Sequence, residues 1–169
     1  MSRDETRPEE RAGWLLDYLR RQINDRGAMA VLRCALSPSA AKRSRAWPLL
    51  APLGGIGDPI IETVAGLFAY HPQEAGDGNI GKTCSLIQKE HQSFEGRFRR
   101  LLSCDPEEIC ERVRPVVLAA KSKDIPVNYG ALFVDLSYWG DKVKARWARE
   151  YWAAAGAEKP VAALSETLP

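Results

Sequence analysis

Residues Gly76-Asp77-Gly78-Asn79-Ile80-Gly81-Lys82-Thr83 have the types and spacing of a phosphate-cradling loop. That chemistry needs backbone N–H groups curled round phosphates, with Lys82 on the terminal phosphates and Thr83 on magnesium. It also needs a buried strand feeding the first glycine within a parallel sheet. Here the preceding segment has helical periodicity, and His71-Pro72-Gln73-Glu74-Ala75 intervenes before Gly76. Asp135, closing Leu132-Phe133-Val134-Asp135, offers a carboxylate for magnesium. Yet Tyr129, Leu132, Leu136 and Trp139 recur at helical spacing, which puts Asp135 away from the buried side. The sequence therefore predicts a loop capping a helix that begins near Lys82, without nucleotide chemistry.

Other catalytic patterns fail sooner. There is no Gly-x-Ser-x-Gly elbow, no His-Glu-x-x-His and no clustered carboxylate pair suited to acid/base work. His71 and His91 are the only histidines, and His91 beside Glu90 reads as a polar surface pair. Cys34, Cys84, Cys104 and Cys110 are spaced by 50, 20 and 6 residues, outside the usual zinc and dithiol spacings. Four free thiols are expected, with no metal, no cofactor, no small-molecule substrate and no catalytic residue.

Charge is more informative than chemistry. The net charge is only +2, but no carboxylate lies between Asp25 and Asp58, where Arg26, Arg33, Lys42, Arg43 and Arg45 all fall. Further acid-free windows hold Arg97, Arg99 and Arg100; then Arg112, Arg114, Lys121 and Lys123; then Lys142, Lys144, Arg146 and Arg149. A solvated surface normally intersperses signs, so repeated windows of one sign suggest a face that meets a polyanion.

The elements that must position these cations read as helices. Composition favours helix, with 22 Ala and 17 Leu against 9 Val and 8 Ile. Ala12, Leu15, Leu16, Leu19 and Ile23 form one stripe of a helix expected to end near Gly27, and a short helix follows over 28–36. Residues 37–57 read as a basic loop with one turn near Ala46–Leu50, and 73–81 as a Gly-rich loop. Asp58-Pro59 is a helix start that buries Ile60, Ile61, Val64, Leu67 and Phe68. Pro115 should kink or divide the helical run 106–121. Trp139 and Trp147 occupy buried positions; Trp14, Tyr138 and Trp152 sit at stripe edges, where a protein partner is the natural contact.

The predicted fold class is thus all-α, a compact bundle of two packed helical lobes. The N-terminal lobe spans 9–92 and the C-terminal lobe 93–155, with flexible tails over 1–8 and 156–169. No apolar run approaches a membrane span, and charges arrive within the first five residues, so a cytoplasmic location is expected.

The stretch from Phe94 to Trp152 resembles the CasB family, the small subunit of the type I-E CRISPR complex called Cascade. The resemblance rests on Arg97-Phe98-Arg99-Arg100-Leu101-Leu102, Arg114 to Val117, and Lys121-Ser122-Lys123 leading to Ile125-Pro126-Val127-Asn128-Tyr129. Leu132, Asp135-Leu136, Trp139 and Arg146-Trp147-Ala148-Arg149-Glu150-Tyr151-Trp152 continue it. Weaker echoes upstream are Arg26-Gly27-Ala28, Ala65-Gly66-Leu67-Phe68 with His71-Pro72, and Gly78-Asn79-Ile80-Gly81. Asp124 stands where the family commonly has glycine.

The resemblance implies a non-catalytic subunit that stabilises target DNA strands in the R-loop during antiviral defence. Its implied partners are the backbone subunits carrying the guide RNA, the large subunit and a second copy of itself. Candidate phosphate contacts are Arg33, Lys42 and Arg43 from the acid-free region, with Arg97, Arg100, Arg114, Lys121, Lys123, Lys142 and Lys144 from the resembling half. Arg146 and Arg149 lie nearer Trp147 and are expected to pair with carboxylates. The alternative is a helical protein–protein scaffold without nucleic-acid contact.

Overall fold

A computed structural model describes residues 6–158, with side chains to residue 154. Among these residues the regular structure is helical, and the only β contact is an isolated parallel bridge between Glu74 and Val127. The predicted tails fall largely outside the described residues; within them, Pro8 already begins the first helix and the last helix runs to Glu158.

Helix α5 (Pro59–Tyr70) is the centre. The Asp58 side chain accepts the N–H groups of Ile60 and Ile61 at 3.0 and 3.2 Å, and Pro59 needs no N–H there. Ile61, Thr63, Val64, Ala65, Gly66, Leu67, Phe68 and Ala69 are all buried, so α5 is covered nearly all round. Helix α1 (Pro8–Gln22) lays Leu15, Leu16 and Leu19 against α5 and α10 (Tyr129–Ser137). α2 (Arg26–Arg33), α8 (Pro106–Arg112) and α9 (Arg114–Ser122) cover its other sides. Pro115 divides the 106–121 run, as expected: α8 ends at Arg112 and α9 begins at Arg114.

Two expectations need correction. Gly27 does not end α1. The Asp25 side chain accepts the Ala28 N–H at 3.0 Å, so α1 stops at Gln22 and Gly27 lies inside α2. Residues 37–57 are less a loop than a chain of short turns. α3 (Ala40–Arg43) and α4 (Trp47–Leu50) alternate with single 3-10 turns, pinned by buried Ala46 and Leu50.

The remaining layer is α6 (Ile80–Glu90) packed along α11 (Asp141–Glu158), with α7 (Glu95–Leu102) beside them. The approach is close because Gly81 has no side chain: a Cβ there would overlap the Trp147 carbonyl. Trp147 is fully buried, its ring 4.8 Å from that of Trp139, and Phe98 of α7 stacks on Tyr151 of α11 at 4.1 Å. Truncating an aromatic buried like Trp147 costs about 3–5 kcal/mol. All these apolar groups belong to one contiguous core.

Two connectors are clasped together. His71 Nε2 hydrogen-bonds the Ile125 carbonyl at 2.6 Å, Ala75 N–H donates to Val127 O at 3.0 Å, and Val127 N–H donates to Gln73 O at 3.0 Å. The α5–α6 and α9–α10 connections are therefore joined. No described helix is long and apolar enough to cross a membrane.

Candidate nucleic-acid interface

The glycine loop follows helix α5, not a strand, and is already occupied from within. Asn79 N–H donates to Glu150 Oε2 at 2.7 Å, and the Asn79 side chain caps α6 by accepting the Gly81 N–H at 2.8 Å. Lys82 turns to Asp77 at 3.0 Å, and Thr83 is buried with its hydroxyl donating to Asn79 O. Asp135 corrects the wheel reading: it is buried, accepting Trp147 Nε1–H at 2.7 Å and lying 3.5 Å from Arg146. Desolvation raises its carboxyl above the usual range, against the opposing pull of the Trp147 hydrogen bond and the Arg146 charge. Burial likewise raises the thiols of Cys84, Cys104 and Cys110, so none is held as a thiolate. No cluster of three or more metal-ligating side chains occurs among the described residues.

The predicted cations gather on two flanks of α9. On the first flank, Tyr70 closes α5, and both Arg33 and Lys121 lie over its ring, at 5.8 and 5.4 Å from the centroid. Arg33 is steadied by a hydrogen bond from Nε to Ala69 O at 3.1 Å. Beside the ring, a cleft of about 400 Å³ has Arg33, Lys42, Ser37 and Tyr70 in its walls and no carboxylate. Arg43 borders this region but donates to the Ser37 and Pro38 carbonyls at 3.0 and 3.1 Å.

On the other flank, α7, α8 and α9 enclose a groove of about 500 Å³. Its floor includes Phe94, Leu101 and Val116, and its rim carries Arg97, Arg100 and Arg112. Glu108 is the one carboxylate there, and it accepts the Asp105 N–H as part of the α8 capping box. Arg97 also lines an adjoining cleft with His91, Ser122 and Lys123.

The remaining expectations divide. Lys123 is ion-paired with Glu90 at 3.0 Å. Arg114 points inward, donating to Leu36 O at 3.2 Å and Thr63 Oγ1 at 3.4 Å, with Nε buried and unpartnered. Lys144 lies over Trp139 at 5.6 Å, and Lys142 is exposed in the first turn of α11. Among the described residues, Lys123 alone of the candidate cations is salt-bridged to a carboxylate, whereas Arg11, Arg20, Arg99 and Arg146, outside that set, are all paired. Two residues escaped the sequence reading. Arg112 stood in a recognised basic window, but Tyr70, beyond the apolar stripe that ends at Phe68, gave no signal.

The family model of CRISPR-associated protein Cse2 matches residues 28–152. The chain belongs to the Cse2 family. The Cse2 protein of Thermus thermophilus is 31% identical over 160 residues, covering 85% of this chain and 91% of that protein. A crystal structure of CasB from Thermus thermophilus is similar at TM-score 0.68 and 28% identity, over 88% of this chain and 99% of that one. A chain of a CRISPR RNA-guided surveillance complex shares the fold at TM-score 0.74 and 19% identity, over 89% and 96% of the two chains. The resemblance read from Phe94 to Trp152 thus lies within the span matched by the Cse2 family.

Proposed function

We propose that this chain is the small subunit of a Cascade-type surveillance complex, and that its α9 flanks hold the sugar-phosphate backbone of DNA strands during R-loop formation. The observation that carries this is the convergence of Arg33, Lys42 and Lys121 on one flank and of Arg97, Arg100 and Arg112 on the other, with little carboxylate to neutralise them. Membership of the Cse2 family supports the assignment. Strand separation and heteroduplex formation nearly balance, so modest phosphate contacts can tip the exchange without reading sequence. In this reading the subunit cuts nothing. Lys142 and Lys144 extend the surface, Arg43 shapes the cleft, and Arg114 holds α9 in place.

A scaffold role has one observation in its favour. Trp14 is 58% exposed beside a cleft of about 510 Å³ between α1 and residues 52–54, far more exposure than a tryptophan needs for core packing. The two roles separate in the assembled complex with companion subunits, guide RNA and target DNA. Reversing Arg97, Arg100 and Arg112 to Glu should leave assembly intact and shorten R-loop lifetime. Trp14→Ser should impair assembly and leave the R-loop lifetime of whatever complex forms unchanged. An unaltered lifetime in the arginine variant would leave the scaffold reading standing alone.

A further inference from the structure

Arg33 and Lys121 come from α2 and α9, far apart in sequence, yet both lie over the Tyr70 ring, and neither has a carboxylate partner. Like charges brought together this way repel, and a fold normally separates them or places an acid between them. Here the electron-rich face of a neutral ring takes that place. It attracts both cations without cancelling their charge. Lys42 adds a third positive group in the adjoining cleft, which has no carboxylate in its walls.

We infer that Tyr70 is a positioning residue: it holds Arg33 and Lys121 as a paired seat for two neighbouring phosphates of a single DNA strand. This rests on the backbone-holding reading above and deepens it, assigning a discrete seat and the side chain that builds it. Tyr70 itself touches no phosphate. A strand suits the seat because its phosphates recur along the chain, so one can meet the Arg33 fork and the next the Lys121 ammonium. The Tyr70 ring, not its hydroxyl, does the holding, so phenylalanine should serve as well.

The test is a salt titration of the full chain against a labelled oligothymidylate, with folding checked by circular dichroism. Arg33→Gln with Lys121→Gln should lower the slope of log affinity against log salt by about two, because two phosphate contacts are lost. Tyr70→Leu keeps both charges but releases them. It should weaken low-salt binding about tenfold and lower the slope by about one, while Tyr70→Phe behaves as wild type. Added to the double glutamine variant, Tyr70→Leu should change nothing further, since its effect passes through those cations.

A wild-type slope in Tyr70→Leu, failure of Tyr70→Phe to restore binding, or a full added loss in the triple variant would overturn the inference while leaving backbone binding in place. Should Tyr70→Leu not fold, the double glutamine variant decides: an unchanged slope there removes the seat. Displacement of the oligothymidylate by inorganic phosphate at matched ionic strength would make the ligand a free anion, against the strand assignment. No salt-sensitive binding by wild type would instead remove the underlying reading, and the seat with it.

Discussion

The main-chain N–H of Asn79 donates to the Glu150 carboxylate across 2.7 Å, so the glycine loop holds an anion of its own chain where a phosphate loop would hold its ligand. Glu150→Ala should therefore destabilise the fold, by about 1–3 kcal/mol, through an amide left without its partner. Urea denaturation measures this. Calorimetry with magnesium and ATP should show no binding in either protein. Lys82→Ala should change stability by under about 0.5 kcal/mol, because Lys82 and Asp77 form an exposed pair.

Gly81 reports on the α6–α11 contact. Gly81→Ala should push α6 away from the Trp147 carbonyl at a cost of about 3 kcal/mol, for an added methyl group meets backbone that cannot rotate aside. The melting temperature should fall by roughly 6–12 °C for a chain of this size.

Asp135 makes stability depend on pH in a defined direction. Its folded-state carboxyl binds a proton more tightly than in the unfolded chain, so its favourable contribution is complete below the unfolded value of 3.8 and is lost as pH rises through the folded value. Asp135→Asn stays neutral throughout while keeping an acceptor for Trp147 Nε1. The stability of the variant relative to wild type should be greatest near neutral pH and shrink as pH falls, in paired urea midpoints over a pH series. Asp135→Ala should cost about 1–3 kcal/mol at acid pH, because a buried indole N–H loses its acceptor, and less as pH rises and the wild-type carboxyl ionises.

Arg114 separates strut from contact. Arg114→Ala should lose about 1–3 kcal/mol by freeing Leu36 O and Thr63 Oγ1. Arg114→Lys should not restore it, since an ammonium cannot span both acceptors as a fork does. The salt slope for single-stranded DNA should match wild type in both, once measured where each variant is folded.

Asp124 closes α9 at φ 55°, in the left-handed region. That conformation is one that glycine adopts at no steric cost. Asp124→Gly should stabilise by up to about 1 kcal/mol, offset in part by the freer unfolded chain. Chemical denaturation at neutral pH tests the sign.

Much of this fold was legible because local chemistry and tertiary packing agree. Asp58-Pro59 starts α5, Pro115 separates α8 from α9, and the apolar stripes face the core. Local signals misled where two competed: Asp25 caps α2 and overrides the breaking tendency of Gly27. Asp135 read as exposed because a wheel built from apolar positions has no place for a buried carboxylate whose partner is an indole on another helix. The basic windows were visible in sequence, but which cations remain unneutralised was not. Lys123 finds Glu90 and Arg114 finds Leu36 only once helices pack, and the same packing brings Tyr70 beneath Lys121.

The clasp between the connectors after α5 and α9 has a thermodynamic consequence. His71 follows Tyr70 directly, and its bond to Ile125, with the paired bonds of Val127, ties down the chain just beyond Lys121. The backbones beneath the ring and the ammonium thus lose their relative freedom when the protein folds. Immobilising a long side chain on association costs about 0.5–1.5 kcal/mol, and part of that entropy has been surrendered here in advance. In the proposed reading a strand settling on these groups would meet a preorganised span, and its dissociation rate should register the difference more than its association rate.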